Sequence, residues 1–133
     1  MRKSISRLAA SIGLGASLDY LASLDAHAVE RHESSLHQHL LRGLADRDGI
    51  RVLGAPQAAL ASFVIEGVHN ADIAHLLTEQ GIAVRAGHHC AKPLMRLLGA
   101  NATVRASFYL YNTPSEVDAL GDALAEAGDF FTL

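Results

Sequence analysis

The chain has 133 residues, of which 50% are hydrophobic, and a formal net charge of -3 at pH 7. This length and apolar content suit one domain with a single core, so we expect one domain over residues 1–133. Acidic and basic residues are scattered rather than gathered in a basic stripe, which excludes nucleic acid as an expected partner. The single cysteine permits no intrachain disulfide, and cytoplasm is therefore the expected compartment.

The first segment, MRKSISRLAASIGLGASLDYL, has two interpretations. Basic residues precede the apolar run at positions 8–18 and the triplet AHA follows, as in a signal peptide. Charged residues at positions 7 and 19 bracket this run closely, however, and Leu14, Leu18 and Leu21 share one side of a helical pattern. We predict an amphipathic helix over about residues 6–24. No stretch approaches the roughly 18 apolar residues that a membrane span needs, so no membrane partner is expected.

A second helix is predicted to open at Asp25, because apolar residues recur on one face through Val29, Leu36, Leu40 and Leu44. We expect the opposite face to be solvated, together with the four histidines between positions 27 and 39. The residues of that polar face are Glu30, Glu33, His37 and Arg47.

Two short segments rich in Val, Ile and Phe, IRVLG and LASFVIEG, are predicted strands, and APQA is the loop between them. Asn70 is expected to cap the next helix, ADIAHLLTEQ, because its side chain can accept a backbone amide. Asp72 lies in the first turn, where the helix dipole favours an acid, and Gly81 lies where a C-terminal cap is expected. The segment IAVRA is predicted to form the next strand.

The last third of the chain predicts another strand, TVRASFYLY, and a helix, NTPSEVDALGDALAEAG. Thr113 is the expected cap, with Pro114 in the first turn and Glu116 completing a capping box. The buried stripe of this helix is predicted to comprise Val117, Leu120 and Leu124. The elements together indicate an α+β fold in which helices pack against a small sheet.

The residues that could carry chemistry are concentrated in RAGHHCAKPLMRLL, residues 85–98. Cys90 is the first candidate, because a thiolate is a strong nucleophile when its surroundings lower its pKa. Gly87 and Pro93 indicate an irregular loop around it. A buried cysteine acting as a small hydrophobe is the alternative, but the polar neighbours favour a reactive thiol. Those neighbours are His88, His89, Lys92 and Arg96.

Zinc is a second interpretation of the same loop, because imidazole and thiolate are common zinc ligands. Three adjacent residues, His88, His89 and Cys90, cannot all face one ion, and the chain has no second cysteine. A zinc site would need a distant ligand such as His69 or His75. The spacing therefore disfavours a metal site, and no metal is expected.

Two arginines are the other candidate site residues, Arg85 before the loop and Arg105 in the strand after it. A guanidinium that faces a cleft from an otherwise apolar strand suits a substrate carboxylate. The alternative for Arg105 is exposure to solvent or an ion pair with an acid such as Asp118. The residue pattern alone leaves these alternatives open.

Three segments, GIAVRAGHHCAKPL, VRAS and YNTPSEVDAL, together closely resemble the C-terminal domain of cysteine desulfurases of the SufS and CsdA type, in the class V aminotransferase superfamily. In that family the motif G-[IV]-x-[VC]-R-x-G-x-H-C is followed by an arginine fifteen residues after the cysteine, and Cys90 and Arg105 are fifteen apart. The resemblance covers about residues 10–128. It implies a small mixed or antiparallel sheet packed against helices, as in the C-terminal domain of fold-type I pyridoxal phosphate enzymes.

The resemblance also implies a mechanism, in which a loop cysteine attacks the sulfur of a substrate cysteine held on pyridoxal phosphate and leaves alanine and a persulfide. Cys90 matches that nucleophile. Arg105 matches the arginine that binds the substrate carboxylate, and Arg85 matches a second basic residue at the same site. Sulfur carried in this way serves iron–sulfur cluster assembly. The loop-supporting residues are Gly87, His88 and His89.

One departure from the family limits what this chain is expected to do. The family's large domain, with its Schiff-base lysine, stacking histidine and pyridinium-pairing aspartate, has no counterpart here, and neither Lys3 nor Lys92 matches the lysine motif. We therefore expect the chain alone to bind no pyridoxal phosphate, and Cys90 to accept sulfur from a donor or with a large-domain chain. Expected partners are that chain, a sulfur acceptor protein or a second copy. The alternative is a non-catalytic binding or dimerisation module, or a gene remnant that retains the fold.

Overall fold

The structure is a computed structural model that describes residues 2–45 and 47–131, and within them the side chains of residues 8–45 and 47–127. It divides into two compact units, Met1–Arg31 and His32–Leu133. The elements in chain order are α1 (Arg2–Ala22), α2 (Ala26–Ala45), β1 (Ile50–Val52), β2 (Leu60–Ile65), α3 (Asn70–Glu79), β3 (Arg85–Gly87), α4 (Lys92–Leu97), β4 (Thr103–Ser107) and α5 (Pro114–Phe131).

The first unit consists of α1 and the beginning of α2, and both predicted helices are confirmed. Asp25 begins α2 as predicted, because its Oδ1 accepts the backbone amides of His27 at 3.0 Å and Ala28 at 3.1 Å. Within the described residues no helix is long and apolar enough to cross a membrane. The large apolar side chains of α1 are exposed: Leu8, Ile12, Leu14, Leu18, Tyr20 and Leu21.

The second unit is built on a four-stranded antiparallel sheet with the order β1-β2-β4-β3. The register pairs Phe63 with Val104 in the centre and Arg85 with Arg105 toward the β3 edge. The α+β fold class predicted from the sequence is confirmed, and of the two sheet types allowed the antiparallel one is found.

One face of the sheet carries the core. Side chains alternate between the faces of a strand, and β2 and β4 bury Ala61, Phe63, Val104 and Ala106 on the same side. Helices α2, α3 and α5 pack their apolar stripes there, including the predicted stripe of α5. The helical contribution to this core is Leu36, Leu40, Leu44, Ile73, Leu77, Val117, Leu120, Ala123 and Leu124.

The opposite face of the sheet carries Ser62, Thr103 and Arg105, which alternate with the core residues. Helix α4, which the sequence did not predict, covers part of this face with its buried Met95. Ser62, Thr103 and Met95 line a common cavity of about 270 Å³. This face is called the open face below, because helices α2, α3 and α5 lie on the other side.

Several predicted boundaries are wrong by a few residues. Asn70 does not cap α3: the cap is His69, whose Nδ1 accepts the amide of Ala71 at 3.3 Å, while Asn70 donates its amide to the carbonyl of Ala102 at 2.9 Å. Gly81 does occupy the predicted C-terminal position, at φ +77°. Strand β3 begins at Arg85 rather than at position 82, and β4 ends at position 107 rather than 111.

The expectation of a fully solvated polar face on α2 is also wrong. His37 is buried, with 9% exposure, and its Nε2 has no hydrogen-bond partner among the described residues. His32 is half-buried and its Nε2 lies 2.8 Å from the carbonyl oxygen of Asn112. Arg47 lies beyond the end of α2 and forms a 3.6 Å ion pair with Asp122. The helix is therefore partly covered on its polar side.

Candidate functional site

The predicted nucleophile lies at the tip of a tight turn. Cys90 is an exposed free cysteine. The amide of Ala91 donates to the carbonyl of His88 at 2.8 Å, and the two residues between them, His89 and Cys90, have φ of 52° and 60°. Positive φ at both central positions is the signature of a type I′ turn, which normally selects Gly, Asn or Asp. Cys90 therefore occupies a backbone conformation that its own residue type disfavours.

The elements on each side explain how the turn is placed. Strand β3 ends at Gly87, whose φ of 135° lies in a region open to glycine. Helix α4 begins two residues after Cys90, with Pro93 at its start. The irregular loop predicted around Cys90 is therefore short, because α4 takes up its second half.

His89 ties the turn to the sheet. Its Nε2 lies 2.9 Å from Oγ1 of Thr103, the first residue of β4, and its Nδ1 is buried with no hydrogen-bond partner among the described residues. Burial lowers the pKa of His89, and the positive charges of Arg105 and Arg85 lower it further, while hydrogen bonding to the Thr103 backbone acts in the opposite direction. The neutral imidazole is therefore favoured in the folded chain.

The two candidate arginines are direct cross-strand partners. Arg85 on β3 and Arg105 on β4 are in register, so two like charges lie opposite each other. Among the described residues, the buried Nε of Arg105 has no hydrogen-bond partner and no carboxylate forms an ion pair with either arginine. Asp118, the acid considered as a partner for Arg105, is instead 2.5 Å from Nε2 of His39. Two guanidinium groups without an acidic partner have the chemistry to bind an anion together.

The distant histidines that a zinc site would need have other partners. His69 caps α3, and the Nε2 of His75 lies 3.4 Å from Glu79. Within the ranges 2–45 and 47–131 no three His, Cys, Asp or Glu residues come together as ligands for one metal ion.

The loop residues differ in what they contribute. His88 is exposed and supplies the carbonyl that closes the turn, whereas His89 is half-buried and supplies the side-chain contact to the sheet. Lys92 is exposed at the start of α4. Of the predicted loop-supporting residues, His89 has the largest structural role through its side chain.

Sequence reasoning missed Thr103. This residue is fully buried and its hydroxyl is the partner of His89. One signal was available, since Thr103 lies two positions before Arg105 and side chains two apart share a face of a strand. The contact itself depends on the fold of the turn, which the residue pattern does not reveal.

The arrangement combines two chemical capacities and one structural contact. An exposed thiol can act as a nucleophile toward sulfur or carbon, and a pair of arginines can bind a carboxylate. The imidazole of His89, the residue before Cys90, contacts the sheet. Because Arg105 shares the open face with Thr103, Arg105 and the residue that contacts the Cys90 turn lie on the same side of the sheet.

Comparison with known proteins gives a consistent result. Residues 6–120 match the family described as aminotransferase class-V. A probable cysteine desulfurase of Pseudomonas putida is 74% identical over 117 residues, which cover 88% of this chain and 29% of that protein. A probable cysteine desulfurase of Pseudomonas aeruginosa is 57% identical over 111 residues, covering 84% of this chain and 28% of the relative. The chain thus spans less than a third of the length of these relatives.

A solved structure has the same fold. The cysteine desulfurase CsdA of Escherichia coli, in an S-sulfonic acid form, superposes with a TM-score of 0.86 at 43% identity and covers 90% of this chain and 30% of that one. A more distant match, at 24% identity and a TM-score of 0.65, is a mutant of C-DES with glycine covalently linked to its pyridoxal phosphate cofactor. The latter similarity shows the fold alone.

The described side chains do not fit an anchoring site for pyridoxal phosphate. Such a site uses a lysine that can form a Schiff base and an acid that pairs with the pyridine nitrogen. The one lysine with a described side chain, Lys92, is exposed, and none of the described aspartate side chains is buried. What the chain supplies is the thiol and the arginine pair.

Proposed function

Because this chain belongs to the class V aminotransferase family and matches cysteine desulfurases over about 30% of their length, we propose that it is a sulfur-accepting domain in which Cys90 carries sulfur as a persulfide. The domain is α+β, and the proposed active atom is the Sγ of Cys90. The carboxylate of the sulfur donor would bind to Arg105 and Arg85. In a cell, the sulfur would pass to an acceptor protein for iron–sulfur cluster assembly in the cytoplasm.

The proposed step is a thiol–persulfide exchange. The thiolate of Cys90 attacks the outer sulfur of a donor persulfide, R–S–SH, and the S–S bond of the donor breaks. The donor leaves as the thiolate R–S⁻, and Cys90 becomes Cys–S–SH. One S–S bond forms as one breaks, so the step needs no external oxidant or reductant.

The arginine pair supports the choice of an amino acid donor. Cysteine persulfide has a carboxylate, and two guanidinium groups opposite each other on β3 and β4 offer it charge-assisted hydrogen bonds. Binding an anion would also relieve the repulsion between Arg85 and Arg105. Donors without a carboxylate, such as an alkyl persulfide, should therefore be used less well.

The single observation that carries the proposal is that an exposed thiol directly follows β3, where Arg85 and Arg105 of β4 form a cross-strand pair with no described acid as ion-pair partner. Neither feature is favourable for the fold by itself. The turn places Cys90 in a left-handed conformation, and the register opposes two like charges. A site that binds a sulfur donor accounts for both.

Sulfur transfer from L-cysteine itself would need a large domain that holds pyridoxal phosphate. The chain would then be one part of a two-part enzyme, with the large-domain chain and the sulfur acceptor as its partners. A sulfane donor replaces the large domain in the experiment below, so the test addresses this chain directly.

The proposal is tested by incubating the purified chain with cysteine persulfide and measuring its intact mass. We expect a gain of about one sulfur atom, located on the peptide that contains Cys90 and lost after reduction. Cys90→Ser is the negative control. Arg105→Gln should slow the reaction with cysteine persulfide more than the reaction with an alkyl persulfide that lacks a carboxylate. An unmodified Cys90 in the wild-type chain would contradict the proposal.

The exposed apolar residues of α1 favour a second candidate function, an interaction module that associates with a large-domain chain or with its own copy. Sedimentation velocity of the wild-type chain and of Leu14→Glu/Leu18→Glu distinguishes the two candidates. A self-associating wild type and a monomeric double variant would support the module. A monodisperse wild-type monomer that accepts sulfur would instead leave sulfur acceptance as the function.

A further inference from the structure

Thr103 has a feature that the proposed sulfur chemistry does not itself require. Its side chain is a fully buried polar group on the open face, and the imidazole of His89 lies 2.9 Å from its hydroxyl. Buried polar groups are stabilised when they are hydrogen-bonded, and this contact joins the first residue of β4 to the centre of the Cys90 turn. The contact spans fourteen residues of sequence, so it is not a local turn interaction.

The turn needs a restraint of this kind. His89 and Cys90 have φ of 52° and 60°, a left-handed backbone conformation that is unfavourable for an L-residue other than glycine. The backbone hydrogen bond from Ala91 to His88 closes the turn at 2.8 Å. One such bond offsets only part of the strain at two consecutive left-handed residues, because the net contribution of a single hydrogen bond is small.

The sheet register explains why Thr103 can supply the restraint. Thr103 is the cross-strand partner of Gly87, the last residue of β3. His89 follows two residues later, so its imidazole reaches back over the end of the strand pair to the Thr103 hydroxyl. The polypeptide is thereby held at both sides of the left-handed pair, by the β3–β4 ladder before it and by α4 after it.

We propose that Thr103 is a positioning residue for sulfur acceptance, which acts through His89 to hold the left-handed turn that exposes the Cys90 thiol. The expected effect on sulfur uptake rests on the proposed function. The expected effect on the stability of the turn does not. An ordinary buried threonine would affect the stability of β4 and leave the turn unchanged.

The test uses two substitutions that separate the hydroxyl from the shape of the side chain. Thr103→Val is nearly isosteric and removes the hydroxyl, whereas Thr103→Ser keeps it. Thr78→Val is the matched control, because the Thr78 hydroxyl donates to Ala74 within α3, away from the turn. The readouts are hydrogen exchange of the Ala91 amide by NMR and the rate of persulfide formation at Cys90.

We expect Thr103→Val to raise the exchange rate of the Ala91 amide about tenfold, which corresponds to the loss of one hydrogen bond. Sulfur uptake should slow in the same variant, Thr103→Ser should restore both values, and Thr78→Val should change neither. His89→Ala, at a half-buried position, removes the other partner and should reproduce the Thr103→Val result even if that variant folds poorly.

Unchanged Ala91 exchange in both Thr103→Val and His89→Ala would overturn the inference, as would a Thr103→Ser variant that behaves like Thr103→Val. The two proposals fail separately. If the wild-type chain accepts no sulfur, the proposed function is wrong, and amide exchange still decides whether Thr103 holds the turn. If the chain accepts sulfur and removal of the Thr103 hydroxyl leaves the exchange of the Ala91 amide unchanged, only this inference is wrong.

Discussion

The two faces of the sheet follow different rules. On the core face, β2 and β4 bury Phe63, Val104 and Ala106 against three helices, and each side chain is of a type that favours burial. On the open face, β3 and β4 place Arg85 opposite Arg105, and the adjoining turn holds His89 and Cys90 in left-handed conformations. Burial on the core face stabilises the fold, whereas the left-handed turn and the opposed arginines beside the open face destabilise it.

This difference between the two faces indicates which part of the domain is functional. Natural sequences are locally consistent with their folds, and conflicts between residue type and environment are concentrated at functional sites. Both conflicts found here lie in the paired strands β3 and β4 and the turn that follows β3. The predictions below test whether the two faces really differ in this way.

The largest effect is expected on the core face. Phe63→Ala should lower the free energy of unfolding by about 3–5 kcal/mol, because Phe63 is fully buried and its removal leaves a cavity. The neighbouring substitution on the open face, Ser62→Ala, should change it by less than about 0.5 kcal/mol. Urea denaturation measures both. Equal losses at the two positions would contradict the distinction between the faces.

A smaller effect is expected in the turn. Cys90→Gly should be more stable than Cys90→Ala by about 0.5–1 kcal/mol, because glycine adopts φ of 60° without a Cβ clash and this outweighs its larger unfolded-state entropy. Both variants lack the thiol, so their difference in denaturation midpoint reports only the backbone. The strain interpretation is rejected if Cys90→Ala is the more stable variant.

The arginine pair should show a smaller effect of the same sign. Arg105→Gln removes one of two opposed positive charges and should raise the free energy of unfolding by about 0.2–1 kcal/mol at low salt. The control is Arg51→Gln, since Arg51 on β1 faces Val64 rather than another charge. The gain should shrink as salt screens the pair. A loss of stability at low salt would indicate that Arg105 has an attractive partner.

The smallest effect concerns pH. Burial and the charges of Arg105 and Arg85 lower the pKa of His89 below its ordinary value of 6.5, so the unfolded chain binds the proton more tightly than the folded chain. The stability associated with neutral His89 is therefore complete above pH 6.5 and declines as pH falls below it. Denaturation midpoints between pH 7.5 and pH 5, which bracket that value, should fall less in His89→Gln than in wild type. An unaltered pH dependence in that variant would contradict the assignment, and exposed His75 provides the control substitution His75→Gln.

Much of the core face could be predicted from the sequence, because it depends on local rules. Helix α5 has its apolar stripe where the periodicity placed it, and the Glu116 side chain accepts the amide of Thr113 at 2.7 Å, which holds the pKa of Glu116 below its ordinary value. Where a second nearby group could form the same hydrogen bond, the end of a helix or strand differs from its predicted position by one or more residues. The His69 ring took the capping role, and the amide of Ile82 donates to Leu77 at the end of α3, so β3 starts later.

The open face could be predicted only as a set of residue types. The sequence identified Cys90, Arg85 and Arg105 as residues that could carry chemistry. The pairing of Arg85 with Arg105, however, depends on which strands are neighbours in the sheet, and these two residues are twenty positions apart. The left-handed turn contradicts the local preferences of His89 and Cys90, so no propensity argument would have found it. The contact between Thr103 and His89 depends on that turn, so the sequence did not reveal it either.

The short elements on either side of Cys90 have a mechanical consequence. Strand β3 has three residues and lies at the edge of the sheet, and helix α4 has six residues. Opening this segment therefore costs less free energy than separating the central strands β2 and β4. Detachment also releases the backbone strain, which offsets part of the hydrogen bonding that is lost. The segment that carries Cys90 can therefore open locally while the pairing of β2 with β4 stays intact.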